Sequence, residues 1–86
     1  MDYDKLDFPL TLRTWKEGDW FIPFGMKGRK KLSDYFSDHK FSRIEKERTW
    51  LLCSGDAIVW VVGERTDNRF RMDESTKRVL IVNFLG

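Results

Sequence analysis

The chain has 86 residues, of which 41% are hydrophobic, 15% aromatic and 35% charged, with a formal net charge of +2. This length corresponds to one domain, residues 1–86, and the apolar share is that of a folded globular protein, which excludes an intrinsically disordered chain. Only residues 1–7, which are acidic and outside any periodic pattern, are open to disorder. No apolar run is long enough to cross a bilayer, so no membrane partner is expected.

The cysteine content indicates the compartment. Cys53 is the single cysteine, so an internal disulfide is excluded and a reducing environment is the simplest interpretation. Residues 1–7 also lack the basic and apolar regions of a signal peptide. We therefore expect a cytoplasmic protein.

Two short strands are predicted before the first helix. Phe8, Leu10 and Leu12 alternate with more polar residues, which is typical of a half-buried strand. Pro9 places this strand at a sheet edge or marks its beginning. The segment 20–22, Trp-Phe-Ile, predicts a second strand.

Two helices are predicted in the middle of the chain. The first is indicated by a stripe of residues at positions i, i+3, i+4 and i+7, namely Leu32, Tyr35, Phe36 and His39. The second begins at Ser42, which has capping-box spacing to Glu45, and runs to about Arg48.

The second half of the chain predicts strands. Residues 50–53 form the first, and the continuous apolar run 57–62 is typical of a central strand buried on both faces. Residues 69–72 and 79–84 predict two more. Short connections between these elements indicate an α+β fold, a single compact domain with two short helices between groups of strands.

A basic run precedes the first predicted helix and consists of Lys27, Gly28, Arg29, Lys30 and Lys31. Cations are unfavourable at the positive end of a helix dipole, so their presence there indicates another role. Together with the free N–H groups of a first helical turn, they are suited to hold a phosphate. Residues 27–48 carry +4 and the rest of the chain −2, which favours a polyanion, above all RNA, as partner. A solvated charged surface is the alternative.

Catalytic constellations are missing from the sequence. The one histidine, His39, falls on the apolar stripe of the predicted helix, and Cys53 follows two leucines in a predicted strand, so we expect both to pack rather than react. No spacing typical of a metal site or a nucleotide-binding loop occurs. We predict no catalytic residue and no metal. Among the aromatic residues, Tyr35 is a candidate for RNA contact, whereas the four tryptophans are expected in the core.

The order of several short motifs resembles a known family. The motifs are Trp15-x-x-Gly18-Asp19, Pro23-x-Gly25-x-x-Gly28, Lys30-Lys31-Leu32-Ser33-Asp34 and Trp60-Val61-Val62-Gly63-x-Arg65. In this order they are similar to the C-terminal domain of tRNA(Ile)-lysidine synthetase, over roughly residues 12–81. Ser42 and Trp50 stand where that family is associated with proline.

The resemblance implies a division of labour in a longer protein. The family attaches lysine to the wobble cytidine of an isoleucine tRNA with ATP, in an N-terminal domain that carries a Ser-Gly-Gly-x-Asp-Ser loop. That loop is absent from this sequence, so the segment is expected to be non-catalytic, with ATP and lysine as substrates of the parent protein and no cofactor of its own. The implied fold is a sandwich-like arrangement of sheets shared with the phenylalanyl-tRNA synthetase β subunit.

The resemblance also implies recognition of the tRNA acceptor stem. The candidate RNA contacts are Lys27, Gly28, Arg29, Lys30, Lys31, Tyr35, Lys40, Arg43 and Lys46. An alternative is that the segment is an interaction module that docks onto the catalytic domain of the same protein.

Overall fold

The computed structural model describes residues 1–83 and shows an α+β domain built on two antiparallel sheets. The larger sheet has the order β1–β4–β5, formed by β1 (Leu10–Thr14), β4 (Trp50–Ser54) and β5 (Ala57–Val61). The smaller is a ribbon of β2 (Trp20–Phe21) and β3 (Lys30–Lys31), followed by helices α1 (Leu32–Asp38) and α2 (Arg43–Arg48). Within residues 1–83, a 3-10 helix (Tyr3–Lys5) precedes β1 and another (Asn68–Phe70) follows β5. The predicted fold class is confirmed.

Apolar side chains form two clusters. The larger cluster joins β2, α1, β4 and β5, and contains Phe21, Leu32, Tyr35, Phe36, Leu51, Cys53, Ile58 and Val61. The smaller contains Leu6, Val59 and Phe70. The pairing shifts register between Leu52, opposite Trp60, and Cys53, opposite Ile58, so Val59 has no partner on β4. This bulge sends Val59 to the smaller cluster.

Both predicted helices are confirmed. In α2 the Ser42 hydroxyl accepts a hydrogen bond from the Glu45 backbone N–H at 3.1 Å, and the Glu45 carboxylate accepts one from the Ser42 N–H at 3.0 Å. The capping box therefore fixes the start of the helix, although α2 buries no residue. His39, predicted on the apolar stripe, is instead an exposed residue at the end of α1, stacked on the Tyr35 ring. No helix of residues 1–83 is both long and apolar enough to cross a membrane.

Three residues of β5, Ile58, Val59 and Val61, are buried, as expected for this apolar run, but the strand is not central. It lies last in the β1–β4–β5 order, and β4 occupies the centre. The outer edge of β5 is covered by an irregular segment, in which the Val61 N–H donates to the Arg65 carbonyl and the Asp67 N–H to the Val59 carbonyl. The apolar run thus indicates a buried strand but not its position in the sheet. Residues 65–67 cover the edge of β5 where a further strand would otherwise pair.

The strand predicted at residues 69–72 is wrong, because a 3-10 helix (Asn68–Phe70) takes its place. The Asp67 side chain accepts a hydrogen bond from the Arg69 N–H at 2.7 Å, a local bond that competes with an extended backbone.

The strand predicted at residues 79–84 is reduced to one bridge, between Val79 and Asp2. Its partner turns into the 3-10 helix at Tyr3, which ends the pairing, and no strand follows at residues 80–83. Residues 84–86 lie outside the described residues. Residues 1–7 are themselves packed, with Asp2 and Leu6 buried.

Candidate nucleic-acid interface

The basic run enters a strand before it reaches the helix. Lys30 and Lys31 form β3, and they pair with Phe21 and Trp20 respectively. Successive side chains of a strand point to opposite faces, and directly paired residues share a face. Lys31 therefore shares the outer face with Trp20, whereas Lys30 shares the face of the fully buried Phe21. The alternation of side chains along β3 therefore places Lys30 and Lys31 on two different surfaces.

Lys30 is already paired. Its ammonium group forms an ion pair with the carboxylate of Asp38 at the end of α1. The hydrogen bond and the charge of this ammonium group hold the pKa of Asp38 below its ordinary value. Of the two lysines of β3, Lys31 is the one with a free charge.

The expected phosphate site at the helix N-terminus is not supported. The N–H of Leu32, the first residue of α1, donates to the Asp19 carbonyl at 2.9 Å, so it does not face solvent. The helix has only seven residues, and its N-cap, Lys31, makes no side-chain capping bond. The interface must therefore be built from side chains.

Two guanidinium groups lie over the indole of Trp20, and a lysine is its strand partner. The guanidinium carbon of Arg29 lies 4.1 Å from the centroid of the indole ring, and that of Arg69 lies 4.6 Å from it. Lys31 is directly opposite Trp20 in the ribbon. Both guanidinium groups are within the range of cation–π attraction, which orients them against the ring. We call Trp20, Arg29, Lys31 and Arg69 the cationic face.

Within residues 1–83 only one of these cations is neutralised by a carboxylate. Arg69 pairs with Asp67 at 2.9 Å, whereas Arg29 and Lys31 form no ion pair. The exposed Lys27 and Gly28 precede them in the loop. The cationic face thus carries unpaired positive charge.

Asp67 fixes both the backbone next to Trp20 and the guanidinium group of Arg69. Its side chain, 0% exposed, accepts hydrogen bonds from Nε and Nη2 of Arg69, both at 2.9 Å, and from the Ile22 N–H at 2.8 Å. One carboxylate therefore fixes both a guanidinium group and the chain that follows β2. Sequence reasoning missed Asp67 and Arg69, and it placed Trp20 in the core, whereas its ring is partly exposed beneath the two guanidinium groups. The available signal was the Asp-x-Arg spacing, which suits an aspartate that caps the residue two positions later.

Tyr35 does not belong to the interface. Its side chain lies in the larger cluster, and its hydroxyl donates to the Glu64 carboxylate at 3.0 Å. Burial, with the hydrogen bond and charge of Glu64, raises the pKa of Tyr35 to about 12. A buried, bonded phenol cannot reach a nucleic acid, so we leave Tyr35 out of the contact set.

The remaining predicted contacts lie at the helices. Lys40 is exposed after α1, with a positive φ of 56°. Arg43 pairs with Glu47 within α2, and the Lys46 ammonium lies 5.7 Å from the Trp15 ring centroid. Arg43 and Lys46 line a depression beside Trp15, distinct from the cationic face. The structure therefore does not bring all predicted contacts together.

Comparison with known proteins reveals close relatives of this sequence. Residues 10–82 match the family described as the TilS substrate C-terminal domain. The tRNA(Ile)-lysidine synthase of Parabacteroides distasonis is 98% identical over 86 residues, all of this chain and 20% of that protein. The one of Bacteroides thetaiotaomicron is 61% identical over 80 residues, 93% of this chain and 19% of that protein. The chain thus spans about a fifth of the length of these curated relatives.

Two solved structures share the fold. The crystal structure of a TilS C-terminal domain superposes with a TM-score of 0.76 at 30% identity, covering 88% of this chain and 58% of that one. An N-terminal fragment of the phenylalanyl-tRNA synthetase β subunit from Pyrococcus horikoshii gives a TM-score of 0.71 at 19% identity, covering 88% of this chain and 24% of that one. At such low identity the second comparison supports the fold alone.

Proposed function

Because this chain belongs to the family of TilS substrate C-terminal domains, we propose that it is the tRNA-binding part of a tRNA(Ile)-lysidine synthase. The parent would be an ATP-dependent ligase that joins lysine to the wobble cytidine of an isoleucine tRNA. In this proposal ATP and lysine bind in the part of the parent outside the chain. The segment itself contributes affinity for the acceptor stem.

The cationic face carries this proposal. A-form RNA offers phosphates and 2′-hydroxyl groups across a shallow minor groove, so a protein recognises it mostly by shape and backbone contacts. Arg29 and Lys31 supply unpaired charge, and the Arg29 guanidinium is oriented by Trp20. Arginine suits bidentate phosphate binding and lysine acts as a point charge. Such a surface binds the RNA backbone without reading its sequence.

A salt titration with an acceptor-stem hairpin tests the proposal. Arg29→Ala and Lys31→Ala should each flatten the slope of log K against log salt by about one unit or slightly less. Lys30→Ala is the matched control, because its ammonium group is held by Asp38, and it should change the slope least. If both test variants keep the slope and affinity of the unmodified chain, the assignment is wrong.

A second candidate function rests on an apolar surface. Leu12, Leu52 and Trp60 are cross-strand neighbours on one face of the β1–β4–β5 sheet, and with Val62 and Val82 they line a depression. Leu12 is 61% exposed. Exposed apolar patches on a domain often mark a binding site, and four fifths of the length of the relatives lies outside this chain. The candidate partner is therefore the rest of the same protein, tested by calorimetric titration without RNA.

A further inference from the structure

Phe24 is both exposed and firmly held. Its side chain is 56% exposed, yet its backbone N–H donates to the Thr66 carbonyl at 2.9 Å. The turn that carries it is closed by the Met26 N–H, which donates to the Pro23 carbonyl at 2.8 Å. Gly25 adopts the φ of 86° that this turn requires, and its N–H donates to Oδ1 of Asn68 at 3.2 Å. The turn thus presents an exposed aromatic ring from a fixed backbone.

Two arginines lie on the segment that anchors the turn of Phe24. Arg65 lines a shallow depression with Phe24, together with Thr66 and with Glu64, whose carboxylate is engaged by a tyrosine hydroxyl. Nη1 of Arg71 donates to Oδ1 of Asn68 at 3.2 Å, the same oxygen that accepts from the Gly25 N–H. Asn68 directly follows Asp67, the residue that fixes the cationic face. The turn that carries the ring is therefore anchored by Asn68, which directly follows the residue that fixes the cationic face.

We propose that Phe24 is a stacking platform for an unpaired nucleobase at the end of a bound RNA helix. This rests on the proposed RNA-binding function and deepens it. Single-stranded nucleic acid is held by aromatic rings that stack on bases, next to positive groups that follow the backbone. A paired base inside a duplex exposes no such surface, so the ligand is a nucleotide beyond the last pair. The anchored turn fixes the backbone that carries the ring before binding, which lowers the entropic cost of the contact.

The test compares two RNAs that differ in one feature. One is a blunt-ended hairpin, and the other is the same hairpin with a short single-stranded 3′ extension, both titrated by fluorescence anisotropy against the 86-residue chain. The extension should strengthen binding about five-fold or more. Phe24→Ala and Phe24→Leu should remove this advantage while leaving the blunt hairpin unaffected, and Phe24→Trp should retain it. Thermal unfolding confirms that the variants are folded.

Phe8→Ala is the matched control. Phe8 is also an exposed phenylalanine, 51% exposed, but it packs beside Tyr3 near the other 3-10 helix. This variant should keep the full advantage of the extension. The stacking role of Phe24 is wrong if the unmodified chain binds the two RNAs equally well, or if Phe24→Ala weakens the binding of both RNAs equally. In either case the proposed RNA-binding function stands. If neither RNA binds, the proposed function itself is wrong, and the platform with it.

Discussion

At the scale of single residues, one buried carboxylate, that of Asp67, holds two parts of the chain together. Its buried carboxylate accepts from the backbone after β2 and from the guanidinium of Arg69, which lies over Trp20. A buried charge is tolerated when it is paired and fully hydrogen-bonded, and here both conditions hold. Stability and the geometry of the cationic face therefore depend on the same group.

Asp67→Asn should lower the free energy of unfolding by about 2–3 kcal/mol, measured by urea denaturation. The amide keeps the volume but loses the charge, and its NH2 group cannot accept from the Ile22 N–H or from Arg69. The exposed Asp56→Asn is the control and should leave stability within about 0.5 kcal/mol. Equal stability of the two variants would contradict the role given to Asp67.

We expect Asp19 to contribute to the loss of stability of the domain in acid. Although burial opposes it, the paired hydrogen bonds from Arg13, both 2.8 Å, hold the pKa of Asp19 below its ordinary value. A carboxylate whose pKa is depressed on folding stabilises the protein above its unfolded pKa of about 3.9, and this contribution disappears as pH falls through the folded pKa. Asp19→Asn should therefore be less stable than the unmodified chain at neutral pH, and the two should converge in strong acid.

Urea denaturation at a series of pH values measures the difference between the two proteins. Other carboxylates titrate in the same range, including Asp73, whose pKa is held low by Lys5. Their effects are common to both proteins and cancel in the comparison. A difference that stays constant down to strong acid would show that Asp19 does not carry the effect.

At the scale of elements, the two helices could be predicted from the sequence, whereas the order in which the strands pair could not. The capping box and the apolar stripe identify α1 and α2 because a helix is stabilised by residues within a few positions of each other. The order of the strands depends on partners distant in sequence, so β4, rather than β5, proved central. The meeting of Arg29 and Arg69 over one indole has the same non-local origin. The basic run was visible in the sequence, but its division by the pleat was not.

Gly25 and Gly28 differ in whether their backbone conformation requires a glycine. Gly25 has a φ of 86°, where a side chain is strained, whereas Gly28 has an ordinary negative or extended φ and open space around it. Gly25→Ala should cost about 1 kcal/mol of stability and displace the turn that carries Phe24. Gly28→Ala should be neutral or slightly stabilising. Thermal unfolding of the two variants checks this, and equal destabilisation would mean that the turn does not depend on the glycine φ.

At the scale of the whole molecule, the two proposed binding surfaces lie on different sides of the same core. Phe21 packs into the larger cluster, which covers one face of the β1–β4–β5 sheet, and its strand neighbour Trp20 belongs to the cationic face beyond it. Leu12 and Trp60 lie on the opposite face of the sheet. The two proposed surfaces therefore do not overlap, and we expect RNA bound at one to leave the other accessible to the rest of the parent protein.

This separation predicts that the two functions can be removed independently. Leu12→Lys should weaken binding to the remainder of the Parabacteroides distasonis relative, because it places a charge in an apolar contact, and leave the RNA affinity and its salt slope unchanged. Lys31→Ala should do the reverse. Because the altered side chains lie on separate surfaces and share no partner, the double variant should show the sum of the two effects on each partner. Isothermal titration with each partner alone checks this, and a loss of RNA affinity in Leu12→Lys would mean that the sheet face belongs to the RNA interface.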